Sequence, residues 1–213
     1  MSFDLEKLKQ SVIDGNAAGA LGLTRQALEE HVPLELILNG GLIAAMSEVG
    51  KQFEAGTFYI PEMLIAARAM QTCMDVLKPL LAVTDAKPLA TVVVGTVKGD
   101  LHDIGKNLVR MMLAGAGFDV VDLGTDVTPE KFVQAIREHG AKLVGLSALL
   151  TTTMISMGAI IKAIEQAGLR GQVKIMVGGA PVTEEYARQI GADGYAADAS
   201  RAVTVAKSLI TGL

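Results

Sequence analysis

"LATVVVGTVKGDLHDIGKN", residues 89–107, runs from an apolar segment through a glycine-flanked polar loop into a second apolar pattern. An apolar run bounded by turn residues reads as a buried strand, and the pattern after the loop reads as a helix. The loop carries His102, one of three histidines in the chain, with Asp100 two residues before it and Asp103 directly after. A strand, a loop and a helix in that order are the unit from which parallel sheets are built.

Working outward, the same unit recurs. Further strands are expected at "FDVVDLG", "KLVGLSA", "VKIMVGG" and a short "DGYAA", with helices near 105–116, 129–139, 152–167, 183–190 and 199–211. Strict alternation implies an α/β domain with a doubly wound parallel five-stranded sheet, Rossmann-type, in the flavodoxin-like order 2-1-3-4-5. In such sheets ligands lie beyond the carboxyl ends of the strands, where the order reverses. The first and third strands flank that point, so the His102 loop and Ser147 are expected to share one crevice.

Upstream the period differs. Leu5, Leu8 and Val12, then Leu21, Thr24, Ala27 and Leu28, then Leu42, Met46, Val49 and Phe53, then Met63, Ala66, Met70, Cys73 and Leu77 recur at helical spacing. Short breaks and Pro33 and Pro61 at helix starts predict an N-terminal four-helix bundle. The polar break "TDAKP" separates the halves, so a helical-bundle cap over 1–85 and an α/β domain over 86–213 are expected.

Composition narrows the function classes. Nineteen basic against 23 acidic residues give a net charge of -4, with no basic cluster to follow a phosphate backbone, so nucleic acid is not an expected partner. No run of about 18 apolar residues is present, and "MSFDLEKLKQ" carries acids where a secretory signal is basic and apolar. A cytoplasmic protein without a membrane partner is expected. Cys73 is the only cysteine, which excludes intrachain disulfides and cysteine-rich metal sites.

Three readings compete for the loop. A phosphate loop fits poorly, because five residues separate Gly99 from Gly105 and Asn107 stands where a magnesium-binding hydroxyl is required. A loop histidine that only makes hydrogen bonds is the default for an isolated His. The third reading makes His102 a metal ligand. His31 and His139 lie in helical patterns, so zinc would lack its three or four protein ligands. One imidazole suffices where the metal brings its own equatorial ligands, as in a tetrapyrrole, and a carboxylate on the far ring nitrogen would fix the tautomer. Asp100 is placed for that.

The wider constellation resembles the cobalamin-binding module of methionine synthase and of the corrinoid proteins of methyltransferase systems, with its D-x-H-x-x-G, S-x-L and G-G elements. Here these are Asp100-Leu101-His102-Asp103-Ile104-Gly105, then, after 41 residues (106–146), Ser147-Ala148-Leu149, then, after 28 more (150–177), Gly178-Gly179. Family members also place a helical bundle before this domain, and "VGKQFEAGTFYIPEMLIAARAM" resembles a junction of that bundle.

The resemblance implies cobalamin or a related corrinoid as cofactor, held base-off with His102 on cobalt in place of dimethylbenzimidazole. Asp100 would orient His102, Ser147 would bond the buried base, and Gly178 and Gly179 would admit the nucleotide tail. Thr153 stands where methionine synthase has a second serine hydroxyl. Tyr59 and Met63 would cover the upper corrin face, with bundle core as the open alternative for Met63 and a helix staple for Tyr59. Mutases of this kind add a large barrel for which 213 residues leave no room.

The function implied is a methyl carrier, cycling between Co(I) and methyl-Co(III), that turns over no substrate alone. Its implied partners are a substrate-specific methyltransferase, a pterin- or thiol-specific methyltransferase and a reductive activator, and the cap would swing on a linker near 82–88. A cobalamin-dependent light sensor is the alternative, although the chain lacks the tryptophan and DNA-binding domain usual there. A cobalamin storage protein would use the same site.

Overall fold

The computed structural model describes residues 3–81 and 88–211. The chain divides into two compact units, a helical one and an α/β one that begins at Pro88. The expected boundary at 85/86 and most of the expected linker lie outside the described residues.

In the helical unit, α1 (Leu5–Ile13) starts at Asp4, whose carboxylate accepts the Lys7 N–H. Asn16 caps α2 (Ala17–Glu29) by accepting from the Gly19 amide at 2.9 Å. These caps satisfy N–H groups that the first helical turn leaves open. The third helical stretch is not uniform: α3 (Leu34–Leu36) passes through a π-helical segment, Ile37–Ile43, into α4 (Ala44–Glu54). A Cβ on Gly41, inside the π segment, would lie 2.8 Å from Leu8 Cδ2, so glycine there lets α1 pack close. Then α5 (Ile60–Leu81) completes the unit, with Pro61 in its first turn. Leu8, Val12, Ala27, Leu42, Val49, Ala66, Cys73 and Leu77 are buried, as their spacing predicts. His31 is not helical; it lies past α2 with a φ of 57°.

The α/β unit alternates β1 (Thr91–Thr96), α6 (Ile104–Gly115), β2 (Asp119–Asp122), α7 (Pro129–His139), β3 (Leu143–Ser147), α8 (Thr151–Gln166), β4 (Lys174–Gly178), α9 (Glu184–Gln189), β5 (Gly194–Ala196) and α10 (Ala199–Thr211). All neighbours pair in parallel, in the order β2-β1-β3-β4-β5. Val93, Val144, Leu146, Ile175 and Val177 face Phe132, Met157, Ile160 and Ile164 from α7 and α8. The alternate residues Val92, Val94, Leu143 and Met176 are buried as well. Both faces of the sheet are therefore covered, which is why the strands read as continuous apolar runs. Register aligns Thr96, Ser147 and Gly178 across three strands, so their loops emerge side by side. No helix among the described residues is long and apolar enough to cross a membrane.

Phe132 is the largest fully buried side chain of the described residues. Phe132→Ala is expected to destabilise the α/β unit by about 3–5 kcal/mol through the cavity it leaves. Urea unfolding followed by far-ultraviolet circular dichroism measures the loss; an unfolding free energy lowered by less than a third of that would show that the α7 packing is not central.

Candidate functional site

The loop between β1 and α6 is built around one buried carboxylate. Gly99 takes a φ of 85°, open to glycine at little cost, and the turn brings the fully buried Asp100 under the sheet edge. Asp100 Oδ1 accepts the His102 amide at 3.0 Å and faces His102 Nδ1 at 2.7 Å. Its Oδ2 accepts the Thr153 hydroxyl at 2.6 Å, the Leu149 amide at 2.8 Å and the Leu150 amide at 3.3 Å. Oδ2 thus sits where α8 begins, at the helix end that favours negative charge.

Burial works against the charged form of Asp100, but the bonds from Thr153, the His102 and Leu149 amides and the imidazole overcome it. Together they hold the carboxyl well below the usual carboxylate range. An ionised carboxylate can only accept, so His102 Nδ1 carries the proton, and in the neutral ring that leaves the lone pair on Nε2. The imidazole is half exposed, at 51% of its side-chain surface. Its backbone carbonyl is held by the buried Thr96 hydroxyl at 3.0 Å. The arrangement is one fixed nitrogen donor on the loop that follows β1.

The other expected residues fall into groups. Leu101 and Ile104 are 73% and 82% exposed, and Leu149, Leu150 and Ile155 are exposed too, an apolar surface in the same region as the imidazole's loop and the start of α8. A Cβ on Gly105 would meet nothing, so the protein's own packing does not require glycine there. Asp103 opens α6 by accepting the Asn107 amide at 2.7 Å and its side-chain NH₂ at 2.9 Å. Ser147, half-buried, ends β3 between Thr96 and Gly178.

Gly178 and Gly179 have a reason inside the fold. A Cβ on Gly178 would lie 2.8 Å from the Ala196 carbonyl oxygen, and one on Gly179, where φ is 126°, would collide with the Ala148 carbonyl. The resemblance implies a ligand's close approach at both, with a plain turn after β4 as the alternative; the protein's own backbone already demands glycine at each. Tyr59 and Met63 belong to the helical unit and separate there. Tyr59 is exposed just ahead of α5, its amide bonded to Glu62 Oε2 at 2.9 Å, whereas Met63 is buried in the bundle core.

Sequence reasoning passed over a second set. Lys106 is almost fully buried, its ammonium 2.6 Å from Asp122 Oδ1 and 3.0 Å from Asn107 Oδ1, which ties the first turn of α6 to the end of β2. Burial opposes charge on Asp122, but the bonds from Lys106 and the Gly124 amide, with the charges of Lys106 and Arg110, lower its pKa. A lysine in a polar-looking "GKN" gives no sign of burial, and its partner lies on another strand.

Among the described residues no group of three or more His, Cys, Asp or Glu could hold a bare metal ion. A single fixed imidazole beside apolar surface and an unfilled glycine suits a metal that arrives with an equatorial macrocycle, the corrin case. Residues 90–204 match the B12 binding domain family, and residues 4–78 match a second family of the same description. The chain belongs to the B12-binding family. Its cofactor is cobalamin or a related corrinoid. Over 209 residues it is 43% identical to dimethylamine corrinoid protein 1 of Methanosarcina mazei, covering 98% of this chain and 96% of that one. It is also similar to a crystal structure of a cobalamin-binding protein from Desulfitobacterium hafniense DCB-2, with a TM-score of 0.81, 31% identity, and 98% and 99% of the chains covered. The methanol:cobalamin methyltransferase complex MtaBC of Methanosarcina barkeri contains a similar chain, with a TM-score of 0.88, 26% identity, and 98% and 80% covered.

Asp100→Asn is expected to cost about 2–4 kcal/mol at pH 7, because an amide NH₂ meets groups that are themselves donors. The native carboxyl titrates below its unfolded value of about 3.9, so its ionisation stabilises the fold above that pH and the contribution fades as pH falls below it. The gap between wild type and variant should narrow below about pH 4. Denaturant unfolding of both proteins from pH 7 down to pH 3 tests this; parallel curves throughout would mean that the carboxylate charge is not what the network binds.

Proposed function

We propose that this chain is the methyl-carrying corrinoid protein of a methyltransferase system, holding cobalamin base-off through His102. The observation that carries the reading is the imidazole itself: Nδ1 engaged by a buried Asp100, Nε2 outside that bond, and the ring half exposed. When bound, the corrinoid supplies a cobalt centre able to take up and release a methyl group.

The chain's own residues do the rest. His102 would hold cobalt from below, and Asp100 would keep the ring in its Nδ1–H tautomer and strengthen its donation. Thr153, bonded to Asp100 at 2.6 Å, would complete the relay. Leu101, Ile104, Gly105 and Leu149 would lie against the ring system, with Asp103 setting the helix start behind them. Ser147, Gly178 and Gly179 would line the crevice for the displaced base and its nucleotide tail. In the helical unit, Tyr59 is exposed and would be free to contact a corrin, whereas Met63, buried in the bundle, would act only as core packing.

Carrier function is supported by relatives named for dimethylamine and by similarity to part of a methanol:cobalamin methyltransferase complex. The partners follow from that reading. A substrate-specific methyltransferase would load a methyl group from a methylamine or an alcohol, a second would pass it to a pterin or thiol, and a reductive activator would restore oxidised cobalt. The chain itself would turn over no substrate.

The test is the Co(II) electron paramagnetic resonance spectrum of the cobalamin-loaded protein grown with ¹⁵N-histidine. Coupling to imidazole nitrogen is expected, lost in His102→Ala; coupling to benzimidazole nitrogen instead would overturn the axial assignment. Ser147→Leu should weaken cobalamin binding at least tenfold by filling the crevice and removing a polar partner, about 1.4 kcal/mol or more. Wild-type affinity in that variant, read by equilibrium dialysis, would place the tail elsewhere. For the carrier role, the loaded and reduced chain should accept a methyl group only when a methylamine or methanol methyltransferase is added.

A further inference from the structure

Asp126 has an unusual backbone. Its φ is 53°, and among the described non-glycine residues only His31 shares a positive value. Aspartate tolerates the left-handed region better than most residues, but the conformation persists only where surrounding structure over-determines it, often near functional sites. The surroundings here are specific. Thr96 donates to the Gly124 carbonyl and Val127 donates to the Thr96 carbonyl, both at 3.0 Å, and Val97 pairs with Val127. The segment after β2 is thereby zipped to the end of β1, with Asp126 at its turn.

From that position Asp126 spends both its polar groups on the neighbouring loop. Its carboxylate Oδ1 accepts the Gly99 amide at 2.7 Å, and its own amide donates to the Asp100 carbonyl at 3.0 Å. Gly99 is the left-handed residue that turns the chain into Asp100, and Asp100 is the residue that orients the imidazole. With this left-handed φ, one residue directs its carboxylate to the Gly99 amide and its own amide to the Asp100 carbonyl, on consecutive residues. An extended residue there would turn its amide elsewhere and leave Gly99 N–H and Asp100 C=O to solvent.

We propose that Asp126 is a positioning residue for the Asp100–His102 pair: it clamps the Gly99–Asp100 backbone so that the imidazole is held in its donor orientation before any corrinoid binds. The consequence for cobalt rests on the axial reading of His102; the clamp itself does not. His102 is then locked from three sides, by Asp126 through Asp100, by Asp100 at Nδ1, and by Thr96 at its carbonyl. Pre-setting the ring in this way removes ordering cost from the binding step.

The test separates backbone strain from the side-chain bond. Asp126→Gly relieves the left-handed strain but removes the acceptor, whereas Asp126→Asn keeps both an acceptor and tolerance of positive φ. In the cofactor-free chain, ¹⁵N shifts of the His102 ring report the ratio of the Nδ1–H to the Nε2–H tautomer. That ratio should fall roughly five- to tenfold in Asp126→Gly and stay within about twofold of wild type in Asp126→Asn. In the cobalamin-loaded protein, the fraction of Co(II) signal coupled to histidine nitrogen should fall in the glycine variant and be restored in the asparagine one. An unchanged tautomer ratio in Asp126→Gly would overturn the proposal, as would a histidine-coupled fraction equal to wild type where wild type is coupled. If wild type itself shows no histidine coupling, the axial reading fails, and the tautomer ratio alone decides the clamp.

Discussion

Everything distinctive about the α/β unit depends on a carboxylate placed where water cannot reach it. Burying an unpaired carboxylate is prohibitive, and the fold meets that cost with donors from two directions. Oδ1 is served from its own loop by the His102 amide and ring, and Oδ2 from the start of α8 by Thr153 and two backbone amides. The charge therefore fastens the β1–α6 loop to the β3–α8 loop, and neither can shift without leaving donors or the anion unpaired. The half-exposed imidazole inherits its rigidity from that buried bond.

The sheet makes this meeting possible. Parallel pairing with β1 and β3 adjacent brings Thr96 and Ser147 level, so that loops 53 residues apart at Asp100 and Thr153 emerge together. Close spacing has its own steric conditions at the same edge. Gly178 and Gly179 allow the β4 tip to run against the carbonyls of Ala196 and Ala148, and a side chain at either would push the strand ends apart. In the first turn of α6, Lys106 forms a largely buried ion pair with Asp122 that joins the helix to β2. Such a pair adds little net stability once desolvation is counted, but breaking it is costly, so it fixes position more than it strengthens the fold.

How much of this was legible follows from what kind of signal each feature leaves. Strands covered on both faces read as apolar runs, and their alternation with helices led directly to the observed strand order. That Asp100, His102, Ser147 and the paired glycines stand at or just beyond the carboxyl ends of β1, β3 and β4 could be read because the apolar runs stop there. The π segment at Ile37–Ile43 could not, since one wider turn barely disturbs the apolar period through Leu42, Met46 and Val49. Tyr59 and Met63 looked alike as bundle residues near the site, yet burial sends one to solvent and the other to the core. Asp126 and Lys106 are long-range features. A left-handed aspartate and a buried ammonium are determined by partners on other elements, and no local pattern encodes them.

The chemistry allowed by this site is constrained by its poverty in ligands. A bare cation needs several donors and would find one imidazole whose second nitrogen is already committed to a carboxylate. A corrin-bound cobalt needs only an axial base, and there the paucity becomes an advantage. If His102 is the single protein ligand, its donor strength would be set by one hydrogen bond, between Nδ1 and Asp100, and that bond would be tuned by the donors around the carboxylate. Each group that binds Asp100 more tightly lowers its ability to polarise the ring, and each that is lost raises it. Thr153 is the adjustable point of that balance, because its buried hydroxyl can rotate to the Leu150 carbonyl at 3.0 Å instead of staying on Asp100. Rotation of that one hydroxyl would change how strongly Asp100 polarises the His102 ring without moving the backbone.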